Sequence, residues 1–336
     1  MPCFCGTFMI IYGSWYDGAM IVLQCNDAYF NWLKLLLESL TAQGIGIPLF
    51  VSIYNGTNDM AAQCQLLYPN CTVELDMINT YGLPMDQFSL RDCMTNRKVF
   101  VLSDVVDRLD PDWVLLLDVD TICRQPFTHW IDQLLIDGID VAVVKNLHDD
   151  PVRKYSSSTV FISRKAYPFV YQWEWFVSQW EVVGERAFEF GWDQLSLNFT
   201  IHAFFDVKYS FLKRRYFVDD GFHADAYFWT WGTPVQSMKS TVYEFFNEHK
   251  LGNSLTLAAA ENYMNQFFNL KEYRAAFPFA HQIVMQDPSN CHAMFVLGTV
   301  YMMALNNYSM AKQIFLALQD ASYRVDDCQD YLDAMK

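Results

Sequence analysis

The segment from Trp113 to Asp120 constrains the fold more than any other part of the chain. Five apolar or aromatic residues, Trp113 to Leu117, lead directly into Asp118-Val119-Asp120. An unbroken apolar run bounded by turn-forming residues is typical of a strand that is buried on both faces of a sheet. Such strands belong to α/β folds, whose sheets are covered by helices on both sides. The segment therefore predicts an α/β domain.

Two carboxylates, Asp118 and Asp120, follow this strand at positions i and i+2. They can be aimed at one point if the backbone turns between them. Because isolated buried carboxylates are costly, such a pair usually holds a hard divalent cation, Mg²⁺ or Mn²⁺. In open α/β sheets, ligands bind outside the carboxyl ends of the strands. Two solvated aspartates at a strand end would give the same short motif, so other parts of the chain have to distinguish these alternatives.

The composition excludes several classes of protein. The hydrophobic fraction of 52% and the charged fraction of 18% exclude a disordered chain. The net charge is −15, and the 23 Lys and Arg residues form no basic run, which disfavours nucleic acid as a partner. No apolar run approaches the roughly 20 residues of a membrane span.

The cysteines and the N-terminus bear on location. The nine cysteines include no CxxC pair and no zinc spacing, as expected of core residues in a reducing compartment. The first twelve residues are apolar but lack a basic region and a cleavage site, so no signal peptide is expected. These features favour the cytoplasm.

Strand and helix patterns alternate through the first two thirds of the chain. A short apolar run, Ala19 to Gln24, precedes a helical pattern that ends at Gly44, and a second strand covers Pro48 to Tyr54. This order is typical of the start of a parallel α/β sheet. Residues Asn146 to Ser158 are polar and contain a proline, which predicts a surface loop before a strand from Thr159 to Ser163.

Only helical patterns follow Ser254, and they include an internal repeat. Leu270-Lys-Glu-Tyr273 matches Leu305-Asn-Asn-Tyr308 at an offset of 35 residues. This offset is close to the 34-residue period of tetratricopeptide repeats. We therefore predict two domains, a larger one over residues 1–250 and a small helical-repeat domain over residues 251–336. The repeat region could bind a protein partner or mediate self-association.

Four further motifs occur in a fixed order around the Asp118-Val119-Asp120 segment. They are Asn26-Asp27-Ala28-Tyr29, Asn96-Arg97-Lys98, the run Trp192-Asp193-Gln194-Leu195-Ser196-Leu197-Asn198, and Gly221-Phe222-His223. In this order the chain resembles GT-A-fold glycosyltransferases, and within them the glycogenin-like and bacterial galactosyltransferase group that uses UDP-sugars. The similarity extends from about Ala19 to Trp231. It implies a Rossmann-like, mostly parallel sheet with helices on both faces.

The resemblance also implies how the nucleotide is bound. Asn26, Asp27 and Tyr29 correspond to the base pocket, where an acidic residue bonds the base and a tyrosine stacks on it. Asp27 could instead cap the following helix. Arg97 corresponds to a basic residue near the sugar diphosphate, with a role in both donor binding and catalysis. A solvated charge on a helix is the alternative for Arg97.

The remaining roles concern the metal and the sugar. The resemblance assigns Asp118, Asp120 and His223 to Mn²⁺ (or Mg²⁺), with Asp118 also contacting the donor. It assigns Asp193 and Gln194 to the sugar hydroxyls and the acceptor, although Asp193 could merely cap a helix. Ser157-Ser158-Thr159 stands where the family has N-[SA]-G, so acceptor-side contacts are expected to differ.

These motifs predict a metal-dependent glycosyltransferase that moves a sugar from a nucleotide-diphosphate donor, UDP-linked, to a glycan, a lipid-linked molecule or a protein. The resemblance implies retention of the anomeric configuration. One alternative is a haloacid-dehalogenase-type phosphatase, in which Asp118 would be the nucleophile and Mg²⁺ the cofactor. The other is a non-catalytic adaptor whose working part is the repeat region.

Overall fold

A computed structural model describes residues 18–76, 90–146, 154–179, 192–204, 206–219, 222–223, 225–230, 239–251 and 255–335. The chain divides into two compact units. The first comprises residues 1–218 and 225–230, and the second comprises residues 219–224 and 231–336. None of the helices in the described ranges is long and apolar enough to cross a membrane.

The first unit contains strands and helices in alternation. Its strands are β1 (Ala19–Asn26), β2 (Leu49–Tyr54), β3 (Cys71–Asp76), β4 (Trp113–Asp118), β5 (Thr121–Cys123), β6 (Val141–Lys145), β7 (Tyr155–Ser163), β8 (Tyr209–Lys213), β9 (Val218–Asp219, at the division between the units) and β10 (Phe228–Thr230). Its helices are α1 (Phe30–Ala42), α2 (Asn58–Leu67), α3 (Leu90–Leu109), α4 (Thr128–Ile136), α5 (Tyr167–Ser178), α6 (Trp192–Ala203) and the single turn α7 (Arg214–Phe217).

Seven of these strands form the main sheet, in the order β3-β2-β1-β4-β7-β6-β8. Strands β3, β2, β1 and β4 run parallel to one another, and β7 runs antiparallel to both of its neighbours, β4 and β6. The expectation of a mostly parallel sheet is confirmed. Strands β5, β10 and β9 form a separate small sheet.

The central strand β4 has the two buried faces that its sequence predicts. Leu115 and Leu117 pack into one core layer, and Val114 and Leu116 pack into the other. Helices α1 and α4 cover the first layer, whereas α3, α5 and α6 cover the second. Successive side chains of a strand point to opposite faces, so an all-apolar strand requires helices on both sides of the sheet.

The predicted surface loop is wrong for residues Tyr155 to Ser158. They belong to β7 and are buried, and only residues 147–153 of that prediction lie outside the described ranges. Two interactions make this polar stretch compatible with burial. The ring of Tyr155 stacks on Phe211 at 5.2 Å, and the hydroxyls of Ser156 and Ser158 are 2.7 Å apart. Pairing between β6 and β7 is irregular here, with Val143 opposite Val160 and Val144 opposite Ser156.

The second unit is built of helices from Lys239 onward in its described part. Its helices are α8 (Lys239–His249), α9 (Leu257–Asn269), α10 (Tyr273–Gln286), α11 (Cys291–Met303), α12 (Tyr308–Asp320) and α13 (Val325–Ala334). Whereas the sequence places the domain boundary at residue 250, α8 belongs to this second unit. The packing of Phe245 explains the difference, because its ring lies 5.2 Å from Phe279 and 4.7 Å from Tyr263.

The internal repeat of the sequence has a structural counterpart in the turns. Tyr273 begins α10 and Tyr308 begins α12, and the turn before each helix contains a residue with positive φ, Lys271 (61°) and Asn306 (50°). Gly298 provides the small residue required between α11 and α12, because a Cβ atom there would lie 3.0 Å from the ring of Phe315. The two halves of the region therefore repeat in turn conformation as well as in sequence.

Candidate active site

Several of the motif residues lie at one edge of the main sheet. Gln24 of β1 pairs with Asp118, so the segment that follows Asn26 extends beyond the same edge as Asp118. Thr159 of β7 pairs with Leu117, which brings Ser157 and Ser158 to this edge from the other side of β4. The site is thus at the carboxyl ends of the parallel strands, where open α/β sheets bind their ligands.

Lys98 joins the motifs together at this edge. Its ammonium group donates a hydrogen bond to Oδ1 of Asp118 at 2.9 Å and lies 2.9 Å from Oδ2 of Asp193. It also donates to Oγ of Ser157 at 3.1 Å, and Ser157 in turn donates to Oδ2 of Asp193. Four side chains from α3, β4, β7 and α6 therefore form one hydrogen-bonded cluster, which we call the Lys98 cluster.

Asp193 is the most deeply buried member of the Lys98 cluster. It is 0% exposed, and among the described residues no group hydrogen bonds its second oxygen, Oδ1. The indole of Trp173 fixes the backbone of Asp193, because Nε1 donates to the Asp193 carbonyl and to Oγ of Ser196, each at 3.1 Å. A buried carboxylate oxygen without a donor is ready to accept a hydrogen bond from a ligand hydroxyl. A helix cap alone would not account for these contacts of Asp193.

The charges of the cluster do not balance. One ammonium group faces two carboxylates, those of Asp118 and Asp193. Burial alone would lower the pKa of Lys98, but the two carboxylates raise it above its ordinary value, so Lys98 is charged. Burial raises the pKa of the Asp118 carboxyl, and the Lys98 ammonium partly opposes this rise. The excess negative charge favours a further cation.

The donor set is suitable for a hard divalent cation. The backbone bends at Val119 and Asp120 between β4 and β5. Such a bend is needed if the carboxylates of Asp118 and Asp120 are to point toward one cation. The Asp118 side chain is 31% exposed, so it remains accessible although Lys98 holds one of its oxygens. Among the described residues, no group of three or more His, Cys, Asp or Glu side chains could hold a metal. Mg²⁺ often binds through one or two carboxylates and completes its shell with water and substrate phosphates, so Asp118 and Asp120 fit such a cation.

Arg97, which the resemblance places near the sugar diphosphate, contacts side chains of strands β2 and β3 in the structure. It is fully buried, and its Nη2 donates to Oδ2 of Asp76 and to Oγ of Ser52, each at 2.8 Å. Arg97 thereby ties α3 to strands β2 and β3, which contradicts the alternative of a solvated helix charge. The neighbouring Lys98, which sequence reasoning passed over, is the basic residue that contacts Asp118. Consecutive helix residues point about 100° apart, and the motif alone did not fix the phase of the helix.

The predicted base-binding segment forms a short turn after β1. The Asn26 side chain accepts a hydrogen bond from the backbone N–H of Tyr29 at 3.1 Å and so caps this turn. Asp27 is exposed, and its carboxylate accepts from the N–H of Ala28 at 2.9 Å. The cap is therefore made by Asn26 and not by Asp27. The carboxylate of Asp27 lies at the surface and Tyr29 is half-buried.

Two further predicted residues have been placed by the structure. Gln194 is half-buried in the first turn of α6, directly after Asp193. His223 belongs to the second unit, in the segment 219–224. Its neighbour Phe222 packs among the phenylalanines of that unit, with its ring 5.1 Å from Phe245. Gly221 of the same motif lies outside the described residues.

Comparison with solved structures identifies the fold. The galactosyltransferase LgtC, solved in complex with donor and acceptor sugar analogues, matches with a TM-score of 0.52 and 15% identity, over 70% of this chain and 96% of LgtC. The bifunctional glycosyltransferase WbbM matches with a TM-score of 0.51 and 12% identity, over 73% of this chain and 51% of that protein. The glycosyltransferase GlyE of Streptococcus pneumoniae TIGR4 matches with a TM-score of 0.50 and 15% identity, over 76% of this chain and 64% of GlyE.

At these identities the similarity concerns the fold, which is the α/β fold of these three glycosyltransferases. No family model matches the chain, and no curated protein matches it by sequence.

Proposed function

We propose that this protein is a metal-dependent glycosyltransferase that transfers a sugar from a UDP-linked donor to an acceptor hydroxyl. The observation that carries the proposal is the Lys98 cluster, in which Asp118 and the buried Asp193 are held together at the carboxyl edge of the sheet. Its fold context supports the proposal, since solved glycosyltransferases share this fold. Asn26, Asp27 and Tyr29 extend beyond the same edge and are suited to contact the nucleotide base.

Each group of residues has a separate task in this proposal. The reaction breaks the bond between the anomeric carbon and a diphosphate oxygen, and it forms a bond from that carbon to the acceptor oxygen. The acceptor proton passes to the departing diphosphate or to solvent. Asp193 accepts a hydrogen bond from a sugar hydroxyl through Oδ1, while Lys98 and Ser157 hold its other oxygen. Gln194 contacts the sugar or the acceptor, and we expect retention of anomeric configuration.

Asp118 and Asp120 would hold Mn²⁺ or Mg²⁺ on the proposed route. When bound, the cation supplies positive charge that stabilises the departing diphosphate. The Lys98 ammonium supplies a fixed positive charge at the same edge, beside Asp118. The burial of Arg97 supports a positioning role, in which its ion pair with Asp76 orients α3 and hence Lys98. The assignment of His223 to the metal stays a prediction.

We propose that the second unit takes no direct part in the transfer reaction. Its paired turns and sequential helices support a tetratricopeptide-like region that binds a protein partner or a second copy of the chain. A cytoplasmic location is part of the proposal, because the six cysteines whose side chains the structure describes are free thiols.

A donor screen tests the proposed function. Purified full-length protein is incubated with UDP- and GDP-sugars and Mn²⁺, with and without EDTA, and nucleotide diphosphate release is measured. We expect slow UDP release from one donor that stops with EDTA. Release of inorganic phosphate from phosphomonoesters, without any UDP release, would instead support the phosphatase alternative. No reaction with any donor or phosphomonoester would favour the adaptor alternative.

A further inference from the structure

Helices α5 and α6 expose a set of aromatic side chains that the proposed chemistry does not use. Trp175 is 52% exposed, Phe199 is 42% exposed and Tyr171 is 40% exposed. Tyr171 and Trp175 are four residues apart on α5 and therefore lie on the same helix face. Large aromatic residues that are exposed singly need no explanation, but a contiguous group of them marks an interaction surface.

The rings of Trp175, Phe176 and Phe199 form a connected series, and Tyr171 lies one helical turn from Trp175 on the same helix face. Trp175 packs edge-on against Phe176 with ring centroids 5.0 Å apart, and Phe176 lies 5.8 Å from Phe199. Phe199 in turn lies 6.5 Å from Trp192. We call Tyr171, Trp175, Phe176 and Phe199 the aromatic face. Beneath this face, the buried Trp192 contacts Phe199 and lies in the first turn of α6, which also carries Asp193.

The aromatic face is held rigidly by the core beneath it. Trp173 is completely buried, and its indole N–H bonds the backbone of α6 at Asp193. Trp192 donates from Nε1 to the carbonyl of Val177 at 3.1 Å, which joins the end of α5 to the start of α6. Tyr171 is fixed through its hydroxyl, which donates to Oδ1 of Asp107 at 2.6 Å. Rigid aromatic side chains lose little conformational entropy when they bind a partner.

The charges of this face restrict what it can bind. Neither α5 nor α6 contains a Lys or Arg residue, whereas Glu174 and Asp107 lie on or beside the face. Phosphate groups, anionic lipids and nucleic acid would be repelled by such a surface. An uncharged polyhydroxyl ligand suits it, because aromatic rings cover the apolar side of a sugar while carboxylates and amides accept its hydroxyl hydrogens.

The geometry points to the aromatic face as a binding platform for a neutral oligosaccharide, the acceptor chain of the proposed transferase. This inference rests on the proposed function for the identity of the acceptor, and it names the substrate class as an uncharged glycan of several sugar units. The chain end would reach the site at Asp193 while earlier sugars lie over Phe199 and Trp175. We therefore expect transfer to an oligosaccharide to be more efficient than transfer to a monosaccharide.

Direct binding tests the platform without any need for turnover. Full-length protein is titrated with maltohexaose, cellohexaose, xylohexaose and mannohexaose, and tryptophan fluorescence and calorimetry report the affinity. We expect at least one hexasaccharide to bind. Trp175→Ala and Phe199→Ala should each weaken this binding about tenfold, the loss of one aromatic anchor. Trp175→Phe should retain most of the affinity, because a ring remains in place.

Matched controls separate the platform from general effects. Tyr216→Ala removes an aromatic residue that is 42% exposed outside the face, and it should bind the hexasaccharide as the wild type does. Circular dichroism of each variant establishes that it is folded. Hexagalacturonate, a charged analogue, should bind more weakly than its neutral counterparts.

Three results would overturn the inference. The first is that the wild type binds none of the neutral hexasaccharides. The second is that Trp175→Ala binds a hexasaccharide with the same affinity as the wild type. The third is that the wild type, but not Trp175→Ala, sediments with phosphatidylcholine vesicles. The last would assign the face to a membrane surface. Donor hydrolysis in the absence of acceptor is measured in parallel. If the wild type binds no hexasaccharide but still releases UDP, only the platform is rejected, whereas absence of UDP release from the wild type rejects the proposed function.

Discussion

The ammonium nitrogen of Lys98 on α3 and Oδ2 of Asp193 on α6 lie 2.9 Å apart, although the two residues are far apart in the sequence. Both side chains are buried, and the same ammonium group also contacts Asp118 of β4. Through Lys98, this ion pair links the helices on one face of the sheet to Asp118 at the end of β4. It therefore serves both the stability of the first unit and the arrangement of the candidate active site.

Replacement of Lys98 by Met should destabilise the first unit. The change leaves Asp193 buried without its cation, and breaking a buried pair in this way costs about 3–5 kcal/mol. The free energy of unfolding, measured by denaturant titration, should fall by this amount. Lys165→Met, at an exposed position, is the matched control. In Lys98→Met combined with Asp193→Asn the total loss should be smaller than the sum of the single losses, and simple additivity would argue against a coupled pair.

Asp120→Asn should abolish sugar transfer and weaken binding of the divalent cation. The substitution keeps the shape of the side chain but removes one negative charge from the proposed cation site. Calorimetric titration with Mn²⁺ checks the binding independently of activity. Asp59→Asn, an exposed aspartate on α2 that pairs with Gln63, should leave both quantities unchanged. Full activity of Asp120→Asn at low Mn²⁺ would contradict the assignment.

His223→Ala should raise the Mn²⁺ concentration that half-maximal activity requires. The resemblance assigns this imidazole to the metal, and Asp118 and Asp120 would still retain part of the affinity. The Mn²⁺ titration of donor hydrolysis supplies the measurement, with the exposed His202→Ala as its control. If the two variants need the same Mn²⁺ concentration, His223 has a structural role only.

The second unit should lose stability as the pH falls below about 6.5. Burial and the nearby Arg324 lower the pKa of His292 from its ordinary 6.5, with Glu261 opposing them. The unfolded chain therefore binds this proton more tightly than the folded chain does. The stabilising contribution of neutral His292 is complete above about pH 6.5 and is lost as the pH falls below that value. One ring nitrogen is 2.7 Å from Oδ1 of Asn265, and the other is 3.3 Å from the Tyr323 hydroxyl.

Thermal unfolding between about pH 7.5 and pH 5.5 measures this loss. His292→Gln should show a smaller decrease in melting temperature over this range than the wild type, whereas His202→Gln should behave as the wild type does. An identical pH dependence in His292→Gln would assign the effect to other groups.

Local sequence patterns determined much of the first unit. The apolar run of β4 predicted a strand with two covered faces. The buried side of α1 follows from the spacing of four of its leucines, Leu33, Leu36, Leu37 and Leu40. The end of α1 was also predictable from the sequence, because Gly44 adopts a positive φ of 67° that other residues rarely tolerate. These features depend on residues within one or two turns of each other, so the sequence alone contains the information.

The tertiary structure decided the features that depend on distant residues. Whether Arg97 or Lys98 contacts Asp118 depends on the rotation of α3 against the sheet, a phase set by the apolar packing of the whole helix. Burial of Ser157 on β7 depends on Lys98 and Asp193, which supply hydrogen-bond partners from two other elements. The position of α8 in the second unit follows from Phe245 meeting rings of α9 and α10. The sequence thus determined the kinds of elements and the candidate chemistry, whereas long-range packing decided which side chains meet.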